Sequence, residues 1–348
     1  MRKLWVGALA IVGVVAALFV IAELRQGKDA MPLPGTALRE LGVRRGVLPG
    51  TAVRAVEMRN NRAYRQLIAQ QFSVLTPENE MKWGVVEPER GTFQFDDGDY
   101  IVEQAEKAGQ IVRGHTLIFE AQLPGWVATL DRRELAKATK AHISRVVGRW
   151  AGRVAVWDVV NEPITDAGGL KRTPFHEKLG PGHIATAFRV ARRADPKAKL
   201  HINEIGAEAI GPKSDRLYEV VRDLRARGVP IDGVGFQVHA NLAGLPPTFV
   251  ANLRRFAALG VEIAITEADV ALKLPPSAAD LRAQARVYRD IVRSCRAVKA
   301  CRYLTVWGFT DGRSWISETQ PGSGAATLLD AQLRPKPAFD AFQRALSR

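Results

Sequence analysis

Val154-Ala155-Val156-Trp157-Asp158-Val159-Val160-Asn161-Glu162 is an apolar run that ends in a carboxylate, and Val261-Glu262-Ile263-Ala264-Ile265-Thr266-Glu267 has the same form. Short Val/Ile-rich runs without regular polar alternation read as strands buried on both faces, the pattern of a parallel sheet. A carboxylate at the C-terminal end of such a strand sits where α/β barrels place their chemistry. Two of them suggest a pair facing each other across a cleft, which is the minimum equipment for cutting a glycosidic bond.

Working outward, apolar runs recur at 43–48, 72–76, 111–119, 154–160, 199–203, 233–238, 262–266 and 303–309. Amphipathic stretches lie between them, for example at 99–108, 134–150, 182–194, 214–228 and 247–260. Eight strand-then-helix units predict parallel pairing through right-handed crossovers, and eight is the number that closes a (β/α)8 barrel. An open doubly wound sheet would want a Gly-rich phosphate turn after an early strand, and the chain has none. Polar residues gather just after these runs: Glu78 and Asn79, Asn161 and Glu162, Asn203 and Glu204, His239, then Glu267 and Asp269. His115 lies within the third run, and Trp307, Asp311 and Trp315 belong to the eighth. One such residue would be a cap or a core hydrogen bond; so many on one rim predict a shared site.

Composition agrees with one catalytic domain, 37–348. The chain has 348 residues, 47% of them apolar, which supports a full core and excludes wholesale disorder. Arg2 and Lys3 precede an uncharged run from Leu4 to Ala22, 19 residues long. A signal-peptide core is shorter and a membrane span slightly longer, so residues 1–22 read equally as a signal peptide or as an N-terminal membrane anchor. Either one exports the rest of the chain. Residues 23–36, with Pro32, Pro34 and Gly35, read as a tether. The only two cysteines, Cys295 and Cys301, read as a disulfide in an exported protein. No Cys-x-x-Cys or His cluster has metal-ligand spacing, and no Gly-x-Ser-x-Gly elbow supports a serine esterase. The net charge of +14 is carried largely by helical arginines such as Arg189, Arg192 and Arg193, which read as solvated faces; no nucleic-acid motif accompanies them.

At this point the residues resemble a known family. Thr76-Pro77-Glu78-Asn79-Glu80-Met81-Lys82-Trp83, Arg113-Gly114-His115-Thr116-Leu117, Trp157-Asp158-Val159-Val160-Asn161-Glu162 and Ile265-Thr266-Glu267-Ala268-Asp269 look like signatures of glycoside hydrolase family 10. Gly235-Phe236-Gln237-Val238-His239 and Val306-Trp307-Gly308-Phe309-Thr310-Asp311 extend the match. The resemblance implies a (β/α)8 barrel and retaining hydrolysis of internal β-1,4 bonds, chiefly in xylan. It implies Glu162 as general acid/base and Glu267 as nucleophile, at the separation of about 5–5.5 Å expected of a retaining pair. The negative charge on Glu267 would keep the proton on Glu162. It further implies that Glu78, Asn79, Lys82, His115, Asn161 and Gln237 bind sugar hydroxyls. Asp269 supports His239 beside the nucleophile, and Trp307 and Trp315 form aromatic walls. Trp83 and Trp157 read as core. The chemistry calls for a polysaccharide substrate, no metal and no cofactor, and a monomer is expected.

Three departures qualify this. The family's Trp-His pair after His-Thr-Leu is here Phe119 and Glu120. Glu120 either points ionised into the cleft, moving the acid limb of activity upward, or pairs with one of the many arginines. Asn203-Glu204-Ile205-Gly206 lacks the usual tyrosine on the aglycone side, and Pro163 stands where alanine is common. Lost polar contacts can change sugar discrimination by orders of magnitude. The alternatives are therefore a glycosidase that trims the cell's own exopolysaccharide, and a non-catalytic carbohydrate-binding barrel.

Overall fold

The computed structural model describes residues 29–348. Eight parallel strands follow one another around a closed barrel: Leu48–Val53, Val74–Pro77, Ile111–Ile118, Val154–Asn161, Lys199–Glu204, Gly233–Phe236, Glu262–Val270 and Cys301–Val306. Closure is direct, since Leu48 pairs with Tyr303 and Thr51 with Val306. Each strand is followed by a helix that covers it: Arg62–Gln71, Asp96–Lys107, Arg132–Arg149, Gly182–Ala194, Pro212–Ala226, Phe249–Ala257, Ala278–Arg296 and Pro337–Ser347. Three of these helices begin where a short polar side chain accepts orphan backbone N–H groups. Asn61 caps Tyr64, Asp131 caps Glu134, and Ser277 with Asp280 forms a reciprocal capping box.

The main core lies between strands and helices and contains Val112, Val154, Ile202, Val234, Ile263 and Leu304 among many others. Inside the barrel the filling is partly polar. Arg113, Asp158 and His201 are at most 1% exposed there, tied together by hydrogen bonds.

The first strand begins later than the run 43–48 predicts. Leu38–Arg45 is a helix that buries Leu38, Leu41 and Gly42 and leaves Val43 exposed. It ends at Gly46 in a left-handed conformation, φ 70°, with Val47 N–H bonded back to Gly42 O. Basic residues followed by glycine form a C-cap, and that signal overrides the apolar pattern. The seventh strand runs further than predicted, so Glu267 lies inside it rather than after it. The eighth ends earlier, at Val306.

Cys295 and Cys301 are bonded, joining the helix Ala278–Arg296 to the eighth strand. The signal-peptide or anchor reading of residues 1–22, and the tether up to residue 28, lie outside the described residues. Residues 29–36 lie against the barrel: Gln66 contacts Asp29 and Ala30, and Gln343 donates to Pro34 O and Thr36 O. Among the described residues, no helix is long and apolar enough to cross a membrane.

Candidate active site

The fourth strand carries Glu162 one residue past its end. Its φ of 53° places a non-glycine residue in the left-handed region, a strained backbone that the surroundings must hold. The hold comes from its own N–H, which donates to Asn203 O at 2.8 Å. Its Oε1 accepts from Gln237 Nε2 (3.0 Å) and from Asn161 Nδ2 (3.4 Å). Its Oε2 faces Lys171 Nζ at 3.3 Å. Lys171 returns on the loop after the fourth strand, its N–H bonded to Pro163 O.

Glu120 is neither loose in the cleft nor paired with arginine. It meets Lys171 Nζ at 2.8 Å, so one ammonium spans Glu120 and Glu162. Burial would lower the pKa of Lys171, but its hydrogen bond to Glu120 and the charges of both glutamates prevail and raise it. Phe119, the other departure, has Lys82 Nζ over its ring at 5.7 Å.

Glu267 is 4% exposed. Oε1 accepts from Asn203 Nδ2 at 2.7 Å, and Oε2 lies 3.4 Å from His239 Nε2. Behind His239, Nδ1 lies 3.0 Å from Asp269 Oδ2, which also accepts from Trp315 Nε1 at 2.7 Å. Burial would lower the pKa of His239, yet Asp269 and Glu267 outweigh it and push the ring up to about 10. The ring is therefore cationic at neutrality. Burial pushes the Glu267 carboxyl upward, but His239, His115 and Asn203 outweigh that and hold it below the usual carboxylate value. Glu267 is thus held as an ionised carboxylate in a buried setting.

Asn203 joins the two acids. It donates to Glu267 and to Asn161 Oδ1 (2.8 Å), and it accepts from Thr266 Oγ1 (2.7 Å). That fixes the Asn161 amide so that its Nδ2 turns toward Glu162. Gly235 makes this packing feasible, because any side chain there would collide with Asn203 Oδ1 and Thr266. A second bridge runs through Gln237, whose amide meets Glu162 while its backbone O accepts from Glu267 N–H.

The remaining predicted residues lie around this pair. Glu78 follows the second strand, and Arg54 grips both its oxygens at 2.9 and 2.8 Å while also reaching Glu318. Asn79 Oδ1 accepts from Lys82 Nζ at 3.3 Å. Burial lowers the pKa of Lys82, opposed by the charges of Glu267, Glu78 and Glu162 that it faces. His115 Nδ1 lies 3.1 Å from Asp158 Oδ2, and its ring meets Trp307 edge-on at 5.4 Å. Burial favours a protonated Asp158, but Arg113 and His115 outweigh it and hold the carboxyl near pH 2. Trp315 packs against His239 and is anchored by its N–H on Asp269, so it buttresses the ring that faces Glu267. Trp83 and Trp157 are core, 1% and 0% exposed.

Lys171 and Arg54 have no part in the sequence reading, and Asn203 stands there only among the rim residues, with no role of its own. Only Asn203 carries a usable signal, as an asparagine ending a buried strand. Among the described residues, no His, Cys, Asp and Glu group of three or more is arranged to hold a metal ion. The arrangement is suited to double displacement at an acetal carbon: one ionised carboxylate, a second with amide donors and an ammonium, and polar groups for hydroxyls on either side.

The family model for "Glycosyl hydrolase family 10" matches residues 37–345. An endo-1,4-beta-xylanase of Agaricus bisporus is 42% identical over 270 residues, 77% of this chain and 81% of that protein. The native xylanase 10B of Thermotoga maritima superposes with a TM-score of 0.87 at 38% identity, covering 89% of this chain and 98% of that one. The xylanase 10B of Thermotoga petrophila, solved with xylobiose, gives 0.88 at 37% identity, covering 91% and 98%.

Proposed function

The chain belongs to glycosyl hydrolase family 10, and from that premise we propose that it is a retaining endo-1,4-β-xylanase in which Glu267 is the nucleophile and Glu162 the general acid and base. Curated relatives named as endo-1,4-beta-xylanases at about 40% identity support the substrate class. The observation that carries the residue roles is the opposed setting of the two carboxylates. Glu267 is buried and held ionised by His239 and Asn203, while Glu162 is only partly buried and meets amide and ammonium donors.

In the first step Glu267 attacks the anomeric carbon as Glu162 gives its proton to the departing glycosidic oxygen. The carbon–oxygen bond to the aglycone breaks and an ester to Glu267 forms. In the second step Glu162 takes a proton from water, water attacks the same carbon, and Glu267 leaves as carboxylate. Two inversions give net retention. Asn161 meets the sugar 2-hydroxyl, where a hydrogen bond tightens in the transition state. Glu78, Asn79, Lys82, His115 and Gln237 bind further hydroxyls, and Trp307 walls the cleft. His239 with Asp269 keeps Glu267 ionised and aimed, a supporting pair that touches the nucleophile rather than the sugar.

The leader 1–22 and the Cys295–Cys301 bond support an exported enzyme acting outside the cytoplasm. Incubation with xylan and with defined β-1,4-xylo-oligosaccharides tests the proposal. Internal cleavage with β-configured new reducing ends is expected; no cleavage, or α-configured products, overturns it.

A further inference from the structure

The helices Ala278–Arg296 and Pro337–Ser347 pack side by side on the flank of the barrel, with Tyr288 against Phe342 at 6.4 Å. Their solvent sides enclose a trough of about 280 Å³. Six arginines line it: Arg286, Arg289, Arg293 and Arg296 from one helix, Arg344 and Arg348 from the other. Spacings of three and four residues put each set on one helical face. The other lining residues are alanines, whose short side chains leave the trough open, and no Asp or Glu side chain lines it.

The guanidinium groups have few partners of their own. Arg289 meets Asp290 at 2.9 Å, and Arg296 donates to Ala345 O at 2.6 Å. Among the described residues, Arg286, Arg293, Arg344 and Arg348 form no ion pair. Arg45, at the end of the N-terminal helix, adds to the crowding: burial and then its charge together lower the pKa of Arg296. Like charges set together at i and i+4 cost stability, and a bound polyanion would offset that cost.

We propose that this trough is a second, non-catalytic site for polysaccharide chains bearing carboxylate groups. The proposal rests on the polysaccharide-hydrolase reading for the class of polymer, and on the arginines for its charge. Guanidinium forks match carboxylates bidentately. No aromatic side chain lines the trough to stack a nucleobase, and a recessed trough suits an extended strand better than the plane of a bilayer. Helices run antiparallel to the strands they follow, so Arg293, Arg296, Arg344 and Arg348 lie toward the end of the barrel opposite Glu162 and Glu267. A chain held there does not enter the cleft; it raises the local concentration of cleavable segments.

The full chain carrying Glu267→Ala, titrated with polygalacturonate, reads binding without hydrolysis. Affinity should fall about tenfold when Arg286, Arg293, Arg344 and Arg348 are all changed to glutamine, and should weaken in roughly 0.3 M salt. Binding of neutral xylan should be the same in both. In the otherwise unaltered enzyme, the four substitutions should leave hydrolysis of short neutral xylo-oligosaccharides unchanged, which also reports folding. Equal polygalacturonate binding with and without the arginines overturns the proposal, as does no binding at all. Arginine-dependent capture by phosphatidylglycerol vesicles in preference to polygalacturonate overturns it in favour of a lipid surface. Failure of oligosaccharide hydrolysis in the parent enzyme would instead strike the catalytic reading and leave the trough result standing.

Discussion

Replacing Glu120 by glutamine leaves Lys171 with one carboxylate partner instead of two. Lys171 Nζ lies 2.8 Å from Glu120 and 3.3 Å from Glu162, and the three side chains are about a quarter exposed or less. Two unit charges at that separation attract by about 5 kcal/mol at an effective dielectric of 20 and about 1 kcal/mol in bulk water. Partial exposure places the net effect near the lower figure, on the order of 1–1.5 kcal/mol. With Glu120 gone the ammonium is no longer shared, so one more net positive charge stands beside Glu162 and proton transfer to the leaving oxygen is disfavoured by about tenfold. The assay is kcat/KM near neutral pH on xylo-oligosaccharides, which need a proton on the leaving oxygen, and on aryl glycosides with acidic leaving groups, which do not. The former should drop about tenfold; the latter should change little. Glu120→Gln combined with Lys171→Met should recover the lost activity. Equal losses on both substrates, or no recovery in the double variant, would refute the reasoning.

Three further outcomes follow from the same geometry. Glu162→Ala should cost about two to four orders of magnitude on xylo-oligosaccharides and far less on activated aryl glycosides, read as kcat for each class. His239, pushed from 6.5 to about 10, contributes stability that is full below pH 6.5 and is lost as pH rises through 10. The Tm should therefore fall across that window, and Asp269→Asn, which removes the ring's main counter-charge, should flatten the fall; an unchanged slope would contradict it. Asn203→Ala leaves Asn161 Oδ1 and Thr266 Oγ1 without their partner in a closed interior, which should cost about 1–3 kcal/mol by denaturant unfolding and lower kcat as well.

The barrel was legible because strands buried on both faces spell themselves as unbroken Val/Ile runs, as at 154–160 and 262–266. The first strand was misplaced because Arg44-Arg45-Gly46 caps a helix, and an apolar count at 43–48 does not register capping. Glu162 and Glu267 were legible as carboxylates at the ends of such runs, where nothing apolar explains them. Lys171 was not, because its position depends on a loop that leaves the fourth strand at Pro163 and folds back on it. Nor was the partner of Glu120: arginines are numerous in the chain, but proximity in the fold gave the carboxylate to a lysine. Arg54 illustrates the same limit, since its grip on Glu78 depends on how the ends of the first two strands meet.

The most direct test of the central claim is to trap the covalent intermediate. A 2-fluoro xylobioside with an activated leaving group slows both steps and the second one more, so an ester to the nucleophile should accumulate. Mass mapping of the labelled enzyme should place one sugar adduct on Glu267, with inactivation in proportion. A label on any other residue, or full inactivation without an adduct, would contradict the account.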